Sequence, residues 1–264
     1  MSPKITLYRG FPTPGIYTWS PFVTKLEARF RFSDIRYSTE GGSIRAAPRG
    51  KIPYIRIEKP TSSGESTTEI LSDSTLITRR YIEEGNFDDL NAHLGVKERM
   101  LDRGITSLLE DRVYFLQSHE KWIGNYYTMR AHILSSLPYI LQVIVGQLIY
   151  RKQVSTLHGQ GTSRYSDEER KEFKREIWGE INAVLVQARA EMITRQDGDG
   201  PFWLLGGDRP SEADATVFGF VVGAVICTAC PETQGIVRGF PVVVEYARRI
   251  HERYFPEYQV WSDF

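Results

Sequence analysis

Two short stretches constrain this chain most. Gly50-Lys51-Ile52-Pro53-Tyr54-Ile55 sets a proline at the head of an apolar run, just after a loop. Ser72-Asp73-Ser74-Thr75-Leu76-Ile77 comes about twenty residues later, after a short hairpin. A proline that opens a strand is a natural place for a cis X-Pro bond. Such a bond at Pro53 turns the Ile52 main chain outward, leaving its N–H and C=O to pair with an extended peptide ligand. Asp73 and Ser74 fall where a helix should begin. That end offers unpaired N–H groups, partial positive charge, a hydroxyl and a carboxylate, which together suit the α-amino and α-carboxylate groups of an amino acid. The same residues also suit a plain strand and a capped helix with no ligand, so the order of elements around them decides.

A strand is predicted over Ile5-Thr6-Leu7-Tyr8, then a loop, a helix from Pro21 to Phe32 and a short strand from Ile35 to Tyr37. The Pro53 hairpin and the Asp73 helix come next. The pattern is βαβ and then ββα, a thioredoxin-like α/β unit over residues 1–85. The turn-rich Glu84-Gly85-Asn86-Phe87-Asp88-Asp89-Leu90-Asn91 reads as a linker. From 92 to 264 every periodic segment is helical. Val96 to about Trp122 shows apolar residues at three- and four-residue spacing, and a second helix covers much of His132 to Gln153. Ser166 to Glu169 forms a capping box for a long helix towards Thr194, and Ser211 to Asp214 forms another before the uncharged stretch Ala215 to Cys230. Pro241 to Tyr254 closes the chain as an amphipathic helix. The expected architecture is therefore an α/β thioredoxin-like N-terminal domain plus an all-α C-terminal domain. Pro60 to Ser66 reads as a hairpin tip and Gln196 to Pro201 as a loop.

These residues resemble the glutathione transferase superfamily. The likeness is greatest to its failed-axon-connections and metaxin-like branch. It is carried by Ser20-Pro21-Phe22-Val23-Thr24-Lys25-Leu26-Glu27, by Gly50 to Ile55, and by Gly239-Phe240-Pro241 to Tyr254. The resemblance implies glutathione as the thiol ligand, a small hydrophobic electrophile as second substrate and a homodimer. On this view Ile52 and Pro53 hold the cysteinyl backbone, Asp73 and Ser74 the γ-glutamyl end, and Lys51 the glycyl carboxylate. Arg49 and Arg45 are weaker candidates for that last contact.

The thiol must become a thiolate. Lowering a pKa of roughly 8.5 by about two units corresponds to roughly 2.7 kcal/mol of anion stabilisation, more than one neutral hydroxyl supplies. Ser20, directly before a Pro at the first helical turn, is the expected N-cap and stands where the family's activating Ser or Cys stands. A serine there commonly does nothing more than cap. Tyr8, at the end of the first strand, and Tyr17, in the long loop Gly10 to Trp19, are the other hydroxyl candidates. Both are also ordinary core aromatics. Redox relatives carry a cysteine at the Ser20 position or a second one three residues on; this chain has Ser20 and Val23, so a mixed disulfide at this site is not expected. Phe11, Tyr17 and Trp19, with Tyr114, Gln117 and Trp122, are the expected walls for the electrophile.

Composition limits the alternatives. The 264 residues carry no net charge, and neither nucleic acid nor an anionic membrane patch is expected. Two cysteines exclude a disulfide framework. Cys227-Thr228-Ala229-Cys230 lacks a second ligand pair for zinc and is expected in the core. No leader pattern precedes the first strand, so a cytoplasmic location is expected. Ile133 to Tyr150 has no charge but contains Pro138 and two glutamines, and is expected as a buried core helix rather than a membrane span. The histidines have no metal spacing. Conjugation, glutathione-assisted cis–trans isomerisation of a conjugated alkene, and non-catalytic binding in the metaxin manner all fit these features.

Overall fold

The computed structural model describes residues 3–60, 66–195, 198 and 200–262. The chain opens with β1 (Lys4–Tyr8), α1 (Pro21–Phe32), β2 (Ser38–Glu40), β3 (Tyr54–Pro60), β4 (Ser66–Ser72) and α2 (Ser74–Glu83). The four strands lie in the order β2-β1-β3-β4, with β1 and β2 parallel and the other pairs antiparallel. This is the thioredoxin-like arrangement. The third element differs from expectation. The strand occupies Ser38–Glu40 rather than Ile35–Tyr37, because Asp34 turns the chain at φ 52° and the Tyr37 ring packs against Phe30 of α1. The hairpin tip between β3 and β4, and part of the expected 196–201 loop, lie outside the described residues.

Strand alternation divides the sheet faces. Ile5, Leu7, Ile55 and Ile57 pack with Leu26 and Phe30 of α1 and Ile77 and Tyr81 of α2 in one core. The other face carries Thr6, Tyr8, Tyr54 and Arg56. Glu40, Tyr8, Tyr54 and Ser72 form a single rung, in register across all four strands. That end of the sheet therefore gathers the loop after β1, the residues before β3 and the start of α2.

The remainder is helical. A nearly continuous rod runs through α3 (Val96–Ser107), a π-helical turn (Leu108–Val113), α4 (Tyr114–His119) and a second π-helical turn (Glu120–Gly124). Then come α5 (Tyr126–Ile133), α6 (Tyr139–Gln160), α7 (Asp167–Arg195), α8 (Glu212–Ile226), α9 (Pro231–Arg238) and α10 (Pro241–Tyr254). The Ser166 box caps α7: its N–H reaches Glu169 Oε2 at 2.7 Å and its hydroxyl accepts the Glu169 N–H at 3.2 Å. Helix α8 is buried from Ala213 to Val225. Its start is held by Asp214, which accepts from the Ser211 N–H (2.7 Å), the Leu204 N–H (2.8 Å) and the Tyr246 hydroxyl (2.8 Å).

Helix α1 packs along α8 at close range. A Cβ on Gly219 would lie 2.4 Å from the Pro21 carbonyl oxygen and 2.9 Å from the Lys25 nitrogen. Ion pairs add to this seam. Arg29 Nε lies 2.8 Å from Glu212, and Lys25 Nζ lies 2.5 Å from Glu110.

The expectation of a buried helix over 133–150 is corrected. The segment breaks at Pro138, the N-cap of α6, and only Gly146 and Leu157 of α6 are buried. Apolar composition predicted a core position, but among the described residues no neighbouring element covers the outer face. Among the same residues no single helix is long and apolar enough to cross a membrane.

Candidate functional site

The Ile52–Pro53 peptide bond is cis. The β3–β4 register begins at Tyr54↔Ser72, so the Ile52 main chain lies beyond the ladder. Its side chain abuts Gly10, where an added Cβ would come within 3.1 Å of Ile52 Cδ1. The loop from Gly10 continues along a rim. Phe11 packs on His132 with ring centroids 4.8 Å apart, and Trp19 stacks on the same imidazole at 3.5 Å and 12°. Ser20 is next in the chain after Trp19. Thus Ile52 and Ser20 stand at the two ends of one loop, with α5 contributing the histidine between them.

Ser20 has extended geometry (φ −87°, ψ 113°) and its carbonyl accepts from Val23 and Thr24. Its hydroxyl makes no capping bond. A serine at this position ordinarily turns its oxygen back to the N2 or N3 amide. Here the half-buried hydroxyl is left at the open α1 N-terminus, where partial positive charge favours an anion.

Asp73 caps α2. A single oxygen, Oδ1, accepts from both Thr75 N–H and Leu76 N–H at 3.1 Å. The residue is exposed and holds φ 79°, uncommon for a side chain other than glycine. Ser74 is buried directly after it. The first turn of α2 is tied to α1, because Lys25 Nζ reaches Thr75 Oγ1 at 3.0 Å as well as Glu110. Lys51, Arg49 and Arg45 are exposed beside the cis bond.

Two expected hydroxyls are placed elsewhere. Tyr17 is corrected to a core residue. Its hydroxyl meets His251 Nδ1 at 2.8 Å, and its ring is enclosed by Phe218, Phe255, Tyr258 and Trp261. Burial, and then the nearby Glu27 carboxylate, push its pKa up, so it is a poor source of anion stabilisation. The turn that sends it there is anchored by Arg9, buried against Glu27 at 3.4 Å and donating to the carbonyls of Thr13 (2.9 Å) and Ile16 (2.5 Å). Tyr8 stacks on Tyr54 (4.4 Å, 11°) on the sheet face away from α1, and its hydroxyl bonds Glu40. That geometry takes it away from the α1 N-terminus.

Of the expected walls, Phe11 and Trp19 line the rim, and Tyr114 packs on Phe22 at 5.1 Å. Gln117 and Trp122 are buried. Two groups that sequence reasoning missed join them. His132 supplies the ring between Phe11 and Trp19. Burial, then the charge of Lys121, lowers its pKa and favours the neutral imidazole. Lys121 is itself buried, with Nζ 3.4 Å from the Trp19 carbonyl oxygen. Burial works against its charge, but Cys230, Cys227, Tyr114 and Glu120 together leave its pKa raised. A buried cation therefore lies one residue from Ser20. A lysine on a helix ordinarily reads as solvated surface, and nothing in its neighbours signals otherwise. Cys227 and Cys230 are free and buried with Trp122 and Met129. Among the described residues no group of His, Cys, Asp or Glu is arranged to hold a metal.

The comparisons with known proteins agree with this architecture. The glutathione S-transferase N-terminal domain family matches residues 21–129. An isoprene-epoxide–glutathione S-transferase from Rhodococcus sp. (strain AD45) is 25% identical over 258 residues, covering 95% of this chain and 99% of that protein. A glutathione transferase from Phanerochaete chrysosporium superposes with a TM-score of 0.55 at 16% identity, over 98% of each chain. A glutathione S-transferase from Rhodospirillum rubrum F11 gives 0.53 at 15% identity, over 95% of this chain and 89% of that one. With a thioredoxin-like sheet, a cis proline at the head of β3 and an all-helical second half, the chain shares the fold of these transferases, and residues 21–129 match the glutathione S-transferase N-terminal domain.

Proposed function

We propose that this protein is a glutathione transferase that joins the glutathione thiol to a small hydrophobic electrophile, with an epoxide as the best-supported class. The observation that carries the reading is the Ser20 hydroxyl, left without a capping bond at the N-terminus of α1. It shares a rim with Ile52 and His132. The similarity to an enzyme named for an epoxide, along nearly the whole of both chains, supports the substrate class.

Bound glutathione supplies a thiol nucleophile. In this reading Ile52 pairs with the cysteinyl main chain. Asp73 takes the γ-glutamyl ammonium, Ser74 and the first α2 amides take its carboxylate, and Lys51 takes the glycyl carboxylate. Ser20 donates to the sulfur anion, while the α1 N-terminus and the buried Lys121 charge favour it. Phe11, Trp19 and neutral His132 give an apolar wall that keeps water from the electrophile. Holding both reactants there supplies much of the barrier lowering, of order 7 kcal/mol in good cases.

The test is glutathione consumption with a panel of 1,2-epoxides. S20A should lower kcat/KM by about tenfold or more, the value of one hydroxyl bond to an anion, with thermal stability unchanged. Equal turnover by S20A would remove the serine from the mechanism. No turnover with epoxides or enones, despite calorimetric glutathione binding, would favour a binding role of the metaxin kind. Isomerised enone with glutathione unspent would favour the isomerase variant. A cytoplasmic homodimer, with 1–85 and 92–264 as its two domains, belongs to the same proposal. Exposed Ile70, Leu76, Val96 and Met100 support the pairing.

A further inference from the structure

The outward face of α6 carries an apolar stripe that no other part of the described chain covers. Ile140, Ile144 and Leu148 recur every four residues and are 73%, 54% and 62% exposed. Leu141 and Val143 flank them, and Tyr139 adds a further exposed ring. The stripe ends at Arg151 and Lys152, both exposed. The opposite side of the helix is the packed one. Gly146 lies against Arg130 and Tyr126 of α5, close enough that a Cβ would come within 2.8 Å of either. A surface helix of a globular protein normally turns its apolar face inward and its polar face out. Here the exposed side is the apolar one. Contiguous exposed apolar surface of this kind marks a site of association.

Charge identifies the partner. The whole chain is electroneutral, yet between Glu120 and Asp167 it contains no acidic residue at all. The charged residues of that stretch are Lys121, Arg130, Arg151, Lys152 and Arg164. Two copies of α6 packed on each other about a two-fold axis would bring no carboxylate of their own to meet Arg151 and Lys152. An anionic bilayer meets both requirements. Its acyl region takes the isoleucines and leucine, and its headgroups take the cations. Tyr127 and Tyr139, exposed and bracketing Arg130, are the ring type enriched at that boundary.

We propose that α6 is a peripheral docking helix that lies in the surface of anionic membranes, with Ile140, Ile144 and Leu148 inserted and Arg151 and Lys152 at the headgroups. The helix does not span. The proposal is independent of the thiol chemistry, since none of these side chains belongs to the candidate active site.

The experiment is vesicle flotation of the full-length protein. It compares phosphatidylcholine alone with phosphatidylcholine containing about a third phosphatidylserine, at low and high salt. The wild type should float with the anionic vesicles, less so at high salt. R151E/K152E should weaken that binding by about thirtyfold or more, from roughly fivefold for each basic residue lost. I140Q/I144Q/L148Q should abolish it. Both variants should keep the wild-type melting temperature and glutathione affinity, which separates this test from the fate of the transferase reading. The proposal is overturned if the wild type does not bind anionic vesicles, or if the triple variant floats as well as the wild type. It is also overturned if sedimentation shows the triple variant turning a dimer into a monomer with lipid binding unaltered, which would make a second copy the occupant.

Discussion

Asp73 combines a disfavoured backbone with a divided side chain. Its φ of 79° carries a cost of order 1–3 kcal/mol for a residue with a Cβ, and such positions cluster at ligand clamps. Both of its capping bonds use Oδ1, leaving Oδ2 outside the cap. D73N separates the two duties, because an amide oxygen still caps while the charge is gone. Calorimetry should show glutathione affinity reduced about tenfold, with stability within about 0.5 kcal/mol of wild type. Equal loss of both would assign Asp73 to the fold alone. Asp214 makes the opposite case, a carboxyl with a structural task. Burial raises its pKa to about 6 from 3.8, against the hydrogen bonds from Ser211, Leu204 and Tyr246. A folded pKa above the unfolded one gives stability that is complete below pH ~3.8 and lost as pH rises through ~6. Urea unfolding from pH 4 to 7 should therefore show wild type losing up to about 3 kcal/mol relative to D214N, which has no such titration. A flat difference would contradict it. Ser20 and Asp73 were legible from the chain because helix starts have local signatures: a proline at the first turn, and an Asx residue before an apolar run. Lys121 and His132 were not, because their neighbours come from a loop a hundred residues away.

At the scale of elements, the position of Ser20 depends on how closely α1 approaches α8. Gly219 permits that approach. A methyl there would meet the Pro21 carbonyl and the Lys25 amide, which are backbone atoms that cannot rotate away. Gly223, one turn on, would place its methyl 3.6 Å from the Pro21 nitrogen, an ordinary contact. G219A should destabilise by about 1–3 kcal/mol and lower activity by displacing the α1 N-terminus. G223A should leave activity intact and stability equal or up to about 1 kcal/mol higher, since alanine favours the helix. Urea midpoints and turnover of the two variants check this, and similar behaviour of both would contradict the packing argument. Helices α1, α8 and α10 were readable because their caps and apolar spacing are local. The α6 expectation failed for a physical reason. An uncharged segment reports only that burial would be favourable, and whether it occurs depends on another element being there to cover it. The register shift of β2 has the same origin, since Tyr37 is drawn to Phe30 by packing rather than by its own propensity.

Across the whole molecule, the two halves meet where the candidate site lies. Lys25 bonds Thr75 in the first turn of α2 and Glu110 in the helical half, so the start of α2 and the seam between the two halves share one ammonium. Lys121 and His132 reach the opposite way, from the helical half to Trp19 beside Ser20. The site is thus assembled by the fold as a unit rather than carried on a single motif. The most direct measurement is a crystal structure of the protein with glutathione. The cysteinyl main chain should pair with Ile52, the γ-glutamyl end should lie at Asp73 and Ser74, and the sulfur should sit within hydrogen-bond reach of Ser20 Oγ. A sulfur resting against another group, with Ser20 turned back to cap α1, would contradict this arrangement.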